Sequence, residues 1–164
     1  MRRAIDVKTA GNWNAGDEVD RVVLDATDRH RRRLVLTSES GDKVLLDLPR
    51  ATVIGDGDAL VLEDGAIVRV LGAAEPLAEI AAATPEDFVR LAWHLGNRHT
   101  DVQILERKLR MRRDHVLEDM AARLGATITP IAAPFDPEPA APHGHDAHDH
   151  AGAHHHETAD RHDR

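Results

Sequence analysis

The sequence predicts an α+β protein with a small β-rich first part, a second part that mixes helices with strands, and an irregular tail. Short runs of valine and leucine, separated by turn formers, fill the first seventy or so residues. Two amphipathic helix patterns follow from about residue 75, and eight of the twelve histidines lie in the last 22 residues. The predicted parts are residues 1–73, 74–135 and 136–164.

The first part is predicted to be all β because no helical period interrupts its apolar runs. Turn formers stand between several of these runs, and Asp64-Gly65 is a two-residue hairpin signal. A small antiparallel sandwich or barrel is therefore expected. The predicted strands are EVDRVVL, RRLVLT, KVLLDL, DALVLE and AIVRVL.

The second part is predicted to follow the order β-α-β-β-α-β, which is the ferredoxin-like arrangement. EPLAEIAA is the first strand, and Thr84 with Pro85 is typical of a helix start. Asp114 is predicted to cap the second helix, and ATITPIAAPF supplies the last strand. The first helix is predicted to end at Gly96 and the second at Gly125. The second helix should bury an apolar face made of Val116, Leu117, Met120, Ala121 and Leu124.

Composition excludes several classes of protein. The chain has no cysteine, so it has neither a disulfide framework nor a thiolate metal site. No apolar run approaches a membrane span, and no signal peptide precedes the first strand, so a cytoplasmic protein is expected. A pI near 5.8 argues against bulk nucleic-acid binding.

The tail is predicted to be disordered and to bind metal. It lacks an apolar period and carries seven acids against two arginines, a balance of −5. Imidazole nitrogens are suitable ligands for nickel, copper and zinc. The alternative interpretation is a tail that only increases solubility. The candidate ligands are His143, His145, His148, His150, His154, His155, His156 and His162.

Two further histidines are candidate ligands in the folded part. His99 follows the predicted end of the first helix, and a two-fold axis could bring two copies together on one ion. His115 lies in the first turn of the second helix, where the helix dipole does not favour a cation. His94 is interpreted as structural, and His30 lies in a basic run that repels cations.

A basic run with five positive charges in seven residues precedes the second helix, from Arg107 to Arg113. It is either a solvated face of the strand ribbon or a docking patch for an acidic partner.

Signatures of catalysis are missing from the sequence: it has no cysteine nucleophile, no G-x-S-x-G elbow, no phosphate loop and no H-E-x-x-H. The sequence therefore predicts a protein that is not an enzyme.

Several segments resemble one family in their order along the chain. Gly96-Asn97-Arg98-His99 resembles the G-N-R-H signature of the urease accessory protein UreE family, the nickel chaperones of urease maturation. Asp114-His115-Val116-Leu117 with Met120 resembles its D-H-V-L-x-x-M segment, and Pro134-Phe135 with Pro137-Glu138 resembles the stretch ahead of its histidine-rich tail. The resemblance covers about residues 50–164.

The resemblance implies a β-rich domain similar to peptide-binding modules, a ferredoxin-like metal-binding domain and a homodimer formed through the second domain. It implies that His99 binds metal at the dimer interface, and that Arg113 stands where some relatives carry a histidine before Asp114-His115. It also implies that tail and interface histidines exchange Ni(II), which passes to the urease GTPase UreG and to the accessory complex of apo-urease. Zn(II) or Cu(II) can bind the same ligands.

Two other functions remain open from the residues. A passive buffer for nickel, copper or zinc would need only the tail. A peptide-binding module would depend on the β-rich domain and would make the tail incidental.

Overall fold

Residues 1–139 are the part of the chain that the computed structural model describes, and they form two domains that meet at a shared seam. The first domain consists of six strands and two short 3-10 turns. Its strands are β1 (Arg2–Lys8), β2 (Glu18–Leu24), β3 (Arg33–Thr37), β4 (Lys43–Asp47), β5 (Ala59–Leu62) and β6 (Ile67–Gly72).

The second domain has the predicted element order. Its elements are β7 (Glu75–Ala81), α1 (Pro85–Asn97), β8 (Gln103–Ile104), β9 (Lys108–Arg112), α2 (His115–Arg123) and β10 (Thr127–Ala133). The strands form one antiparallel sheet in the order β10-β7-β9-β8. With 13 and 9 residues, α1 and α2 are both too short to cross a bilayer.

The sheet of the first domain is mixed rather than antiparallel, so this part of the prediction is wrong. Its order is β2-β6-β5-β1-β4-β3, and the pairs β1–β4 and β2–β6 are parallel. The parallel pair β1–β4 involves β1, a central strand that the sequence did not predict. Only Ala4 of its seven residues is buried, so it shows no apolar alternation.

The outer strands β2 and β3 of this sheet curl toward each other around one core. Val22 of β2 and Leu36 of β3 belong to the same buried cluster, together with Leu46 and Leu60 from the middle of the sheet. The Glu39 amide donates to the Arg21 carbonyl at 2.8 Å. The contact brings the β3–β4 turn against β2.

Two side chains fix the long connections of the first domain. The buried Asp58 carboxylate accepts hydrogen bonds from the amides of Ala10, at 2.8 Å, and Gly55, at 2.7 Å. Trp13 donates its indole N–H to the Gly57 carbonyl at 3.2 Å. The connection between β1 and β2 is thereby held against the loop that precedes β5.

Both helices of the second domain pack on one face of its sheet. Each begins at the residue predicted to cap it: Thr84 accepts from the Asp87 amide at 3.1 Å, and Asp114 accepts from the amides of Val116 and Leu117 at 3.0 Å. The buried cluster between helices and sheet consists of Ala78, Ile80, Leu91, Leu95, Leu109, Met111 and Ala121.

Two details of the helices differ from the prediction. Helix α1 continues through Gly96 to Asn97, and Arg98 is its C-cap. Val116 was expected on the buried face of α2 but is 57% exposed, whereas Leu117, Met120 and Leu124 pack against the core cluster as expected.

The basic run is largely neutralised by neighbouring carboxylates. Glu79 pairs with Lys108 at 2.6 Å and with Arg110 at 2.9 Å. These hydrogen bonds lower the pKa of Glu79, and the one from Lys108 has the larger effect. Arg112 and Arg113 also form ion pairs. The pairing favours the interpretation as a strand face over that as a docking patch.

Asp20 carries a pH-dependent contact between β2 and the β3–β4 turn. Partial burial raises the pKa of Asp20, but hydrogen bonds from the Ser38 and Ser40 hydroxyls and from the Arg21 and Ser40 amides outweigh it and lower the pKa to about 2. The Ser40 hydroxyl lies 2.5 Å from the carboxylate. Because the folded-state pKa is below the unfolded value of about 3.9, the ionised Asp20 stabilises the fold above that pH.

We therefore predict that Asp20→Asn lowers the free energy of unfolding at pH 7. The difference from the parent should shrink as the pH falls below about 4 toward 2, because the parent carboxylate then becomes protonated. Urea denaturation at a series of pH values measures it. A difference that stays constant between pH 7 and pH 3 would contradict this assignment.

Candidate metal site

His99 lies in the turn directly after α1, with its side chain exposed. Its φ of 54° is the only positive value for a residue other than glycine within residues 1–139. His99 follows the C-cap Arg98, and its amide donates to the Gly96 carbonyl at 3.1 Å. This is the left-handed backbone position after a helix end, which glycine usually occupies. A histidine kept in this unfavourable conformation is a candidate functional residue.

His99 has no partner ligands within its own described chain. Residues 1–139 contain no group of three histidine, aspartate or glutamate side chains placed to hold one ion. The site as described therefore offers one imidazole per chain.

An exposed apolar patch lies on the two helices, of which α1 leads to His99. It consists of Val89 and Trp93 on α1, 66% and 64% exposed, and Val116 on α2. Val116 also lines a groove of about 390 Å³ between α1 and α2, together with Met120 and Leu124. Val89 and Trp93 are four residues apart and thus share one face of α1, the helix that ends beside His99.

His115 is exposed at the first residue of α2. The neighbouring Arg113 is held by Glu118 at 2.7 Å, and this hydrogen bond is the main reason why the pKa of Glu118 is lowered. Glu118 also accepts from the Asp114 amide at 3.1 Å. The guanidinium beside His115 is thus fixed in place.

The remaining histidines of the described chain have separate positions. His94 makes an edge-to-face contact with Trp93, with ring centroids 5.0 Å apart. His30 is exposed at the rim of a cleft between the domains. Neither is grouped with His99. The eight tail histidines, from His143 to His162, lie outside the described residues.

The beginning of the predicted tail is anchored beside the His99 loop. Glu138 donates its amide to the Val102 carbonyl at 2.8 Å, and Asp136 donates its amide to Gln103 at 3.3 Å. Phe135, just before them, is fully buried. The fixed part of the chain therefore extends at least to Glu138, beyond the predicted boundary at residue 136.

The seam between the domains contains residues that the sequence did not single out. Arg29 is 2% exposed and contacts both Phe135 and Asp136. Arg112 lies over the Phe135 ring at 4.9 Å. In the sequence, Arg29 is one of four arginines between residues 29 and 33, and no pattern distinguishes the buried one from the exposed ones.

Comparison with known proteins covers almost the whole chain. A family model described as UreE urease accessory protein, N-terminal domain, matches residues 3–73, and the corresponding C-terminal domain model matches residues 75–163.

Curated relatives agree with this match, and each is named urease accessory protein UreE. A protein from Rhodopseudomonas palustris (strain BisB18) is 52% identical over 93% of this chain and 72% of its own length. One from Bradyrhizobium sp. (strain BTAi1) is 52% identical over 91% of this chain and 75% of its own length. One from Chelativorans sp. (strain BNC1) is 45% identical over 88% of this chain and 90% of its own length.

These names describe accessory proteins of urease, which confirms the prediction that the chain is not an enzyme. The two family models cover one domain each and meet between β6 and β7. The chain belongs to the family of urease accessory proteins UreE.

Proposed function

We propose that the protein is a nickel metallochaperone that delivers Ni(II) to apo-urease, with His99 and the histidine-rich tail as its ligands. One observation carries the proposal: the tail begins beside the His99 loop, through the hydrogen bond from Glu138 to Val102. Eight further histidines follow Glu138 in the sequence, so the segment that carries them starts next to the loop of the exposed His99.

The chain lengths are compatible with a shared site. His99 is three residues from Val102, which limits their Cα separation to about 11 Å. His143 is five residues from Glu138, so an extended chain reaches about 17 Å from the anchored root. The first tail imidazoles can therefore meet an ion held by His99.

We propose that the metal lies on a two-fold axis between two copies of the chain. A single imidazole does not hold Ni(II) tightly, whereas an axis through the site doubles every ligand. The exposed Val89, Trp93 and Val116 supply an apolar surface near His99 that a second copy would cover. The antiparallel sheet order β10-β7-β9-β8 supports classing the supporting domain as ferredoxin-like.

Ligand exchange then accounts for capture and release. The tail collects Ni(II), and the paired His99 residues with tail imidazoles complete a site that gives the ion up again. Imidazole must be neutral to bind, so acid favours release. Zn(II) and Cu(II) suit the same nitrogens. His115 is the second candidate, and its position near the fixed Arg113 and the positive end of α2 predicts a smaller contribution than that of His99.

The proposed recipient is the urease GTPase UreG and, through it, the accessory complex of apo-urease, with the cytoplasm as the place of action. The relatives' role as urease accessory proteins supports this transfer. A passive metal buffer is the competing function. A buffer needs no particular residue in the folded domains, so the effect of replacing His99 distinguishes the chaperone from the buffer.

Removal of residues 140–164 should abolish most Ni(II) binding and leave the fold intact. The core clusters and the anchored root lie within residues 1–139. Calorimetric titration of Ni(II) into both proteins measures the stoichiometry, and circular dichroism checks the fold. An unchanged stoichiometry after truncation would show that the tail is not the reservoir.

His99→Ala should weaken the tightest site, one ion per dimer, by about 10–100-fold or more while the tail sites remain. Competition titration against a chelator measures the first equivalent, and His30→Ala is the matched control at an exposed histidine away from the helices. If both variants bind the first equivalent like the parent, the tail alone explains the chemistry and the buffer function is favoured.

Trp93→Asp should weaken the dimer roughly 10–30-fold, since the aromatic side chain that the proposed dimer would cover is replaced by a charge. Val23→Asp is the control, because Val23 is 52% exposed on β2, outside the patch. Sedimentation equilibrium gives the dissociation constant of the dimer. Equal dimerisation by the two variants would place the interface elsewhere.

A further inference from the structure

Four arginines and a histidine form an exposed basic surface on the first domain. Residues 30–33 are exposed between the buried Arg29 and the body of β3. Arg50 is exposed in the loop after β4. The Leu48 amide donates to the Arg32 carbonyl at 2.9 Å, so this loop runs beside residues 30–33. The basic surface consists of His30, Arg31, Arg32, Arg33 and Arg50.

The four arginines of the basic surface form no ion pair with any carboxylate of residues 1–139. Asp47 lies opposite Arg33 across the β3–β4 pair, but its carboxylate is paired with Arg3 at 2.8 Å. The hydrogen bond from Arg3, and then the charges of Arg33 and Arg32, lower the pKa of Asp47. The basic run from Arg107 to Arg113 differs, because neighbouring carboxylates pair with most of its charges.

Unpaired like charges on neighbouring residues repel each other, and a bound anion removes this repulsion. The basic surface is a local exception on a chain whose net charge is −8. Arginine is also the cation best suited to a protein interface, since its planar fork binds a carboxylate through two parallel hydrogen bonds. The chemistry of the basic surface therefore fits an acidic ligand.

The basic surface continues into the cleft between the two domains. His30 and Arg31 line this cleft, and Val53 lies beside them with 44% of its surface exposed. The buried Ile54 and Phe135 contribute further apolar lining. The cleft has a volume of about 470 Å³, within the usual range of ligand sites. It thus offers an apolar recess directly next to the cations.

The opposite wall of the cleft belongs to the second domain and is acidic. Asp101, Asp136 and Glu138 line it. A nucleic acid carries a negative charge at every phosphate, so its backbone would meet these carboxylates. A polypeptide can instead place acidic side chains on the arginines and an apolar side chain in the recess. The arrangement therefore favours a protein ligand over a nucleic acid, as does the pI near 5.8.

We propose that the basic surface is a docking site for an acidic segment of a partner protein. Carboxylates of the segment bind Arg31 and Arg32, and an apolar side chain next to them lies over Val53 in the cleft. Charge attraction brings the partner in and orients it, while the apolar contact adds affinity. This inference goes beyond the function proposed above, because it needs neither His99 nor a bound ion.

The test uses a charge reversal on the basic surface, Arg31→Glu/Arg32→Glu. The matched control is Lys43→Glu/Arg107→Glu, which makes the same change in net charge at two exposed residues outside the basic surface. Arg31→Gln/Arg32→Gln is the second variant, since it removes the two charges without adding carboxylates. Thermal unfolding checks that each protein folds.

The probe is a fluorescein-labelled peptide built from repeats of Glu-Glu-Leu, and a thymidine oligonucleotide of equal length is the competing ligand class. Fluorescence anisotropy with the metal-free, full-length chain at physiological salt gives the affinities. We expect the parent to bind the peptide with a Kd below about 0.1 mM. Binding should be about 10-fold weaker in the Glu variant, about 3-fold weaker in the Gln variant and within about 2-fold of the parent in the control.

NMR of the parent locates the bound peptide independently of any substitution. The amide signals of residues 30–33 and 50–54 should shift on addition of the peptide. Absence of binding, shifts confined to other residues, or an equal loss of affinity in the control would each overturn the proposal. Oligonucleotide binding as tight as that of the peptide would also overturn it, because the basic surface would then recognise phosphate chains. None of these outcomes bears on nickel binding, which His99→Ala tests separately.

Discussion

A guanidinium removed from water must find acceptors for its N–H groups, and this requirement organises the seam of the protein. The two terminal nitrogens of Arg29 find them on Ile54 of its own domain and on Phe135 and Asp136 of the other, whereas its Nε has no acceptor among the described residues. The Phe135 ring supplies the apolar part of the same contact. Together these contacts set how the two sheets meet and where the chain leaves the second domain.

Each domain otherwise has its own core, so the seam is the part of the structure where a local change affects both. Gly72 illustrates how closely the domains approach, since a Cβ there would lie 2.7 Å from the Pro134 side chain. The connection between β6 and β7 and the segment after β10 therefore pack against each other. The histidine-rich tail follows a fixed part of the fold rather than a free end.

Much of the second domain could be predicted from the sequence because its signals are local. Thr84 and Asp114 are hydrogen-bonding caps, and Leu91 and Leu95 show the helical period of a half-buried helix. The first domain was harder, since β1 has one buried residue and its pairing with β4 is parallel and non-local. At the site, motif order singled out His99, but neither the buried Arg29 nor the anchored Glu138 amide has a local pattern, because both depend on contacts more than thirty residues away.

The placement of the two tryptophans has a spectroscopic consequence. The chain has no tyrosine, so absorption and emission near 280–350 nm come almost entirely from Trp13 and Trp93. One indole is hydrogen bonded to Gly57 in the first domain, and the other stands exposed on α1 in the second. Each domain thus carries one intrinsic fluorophore in a different environment, and single-tryptophan proteins would report separately on the β-rich domain and on the helical surface next to His99.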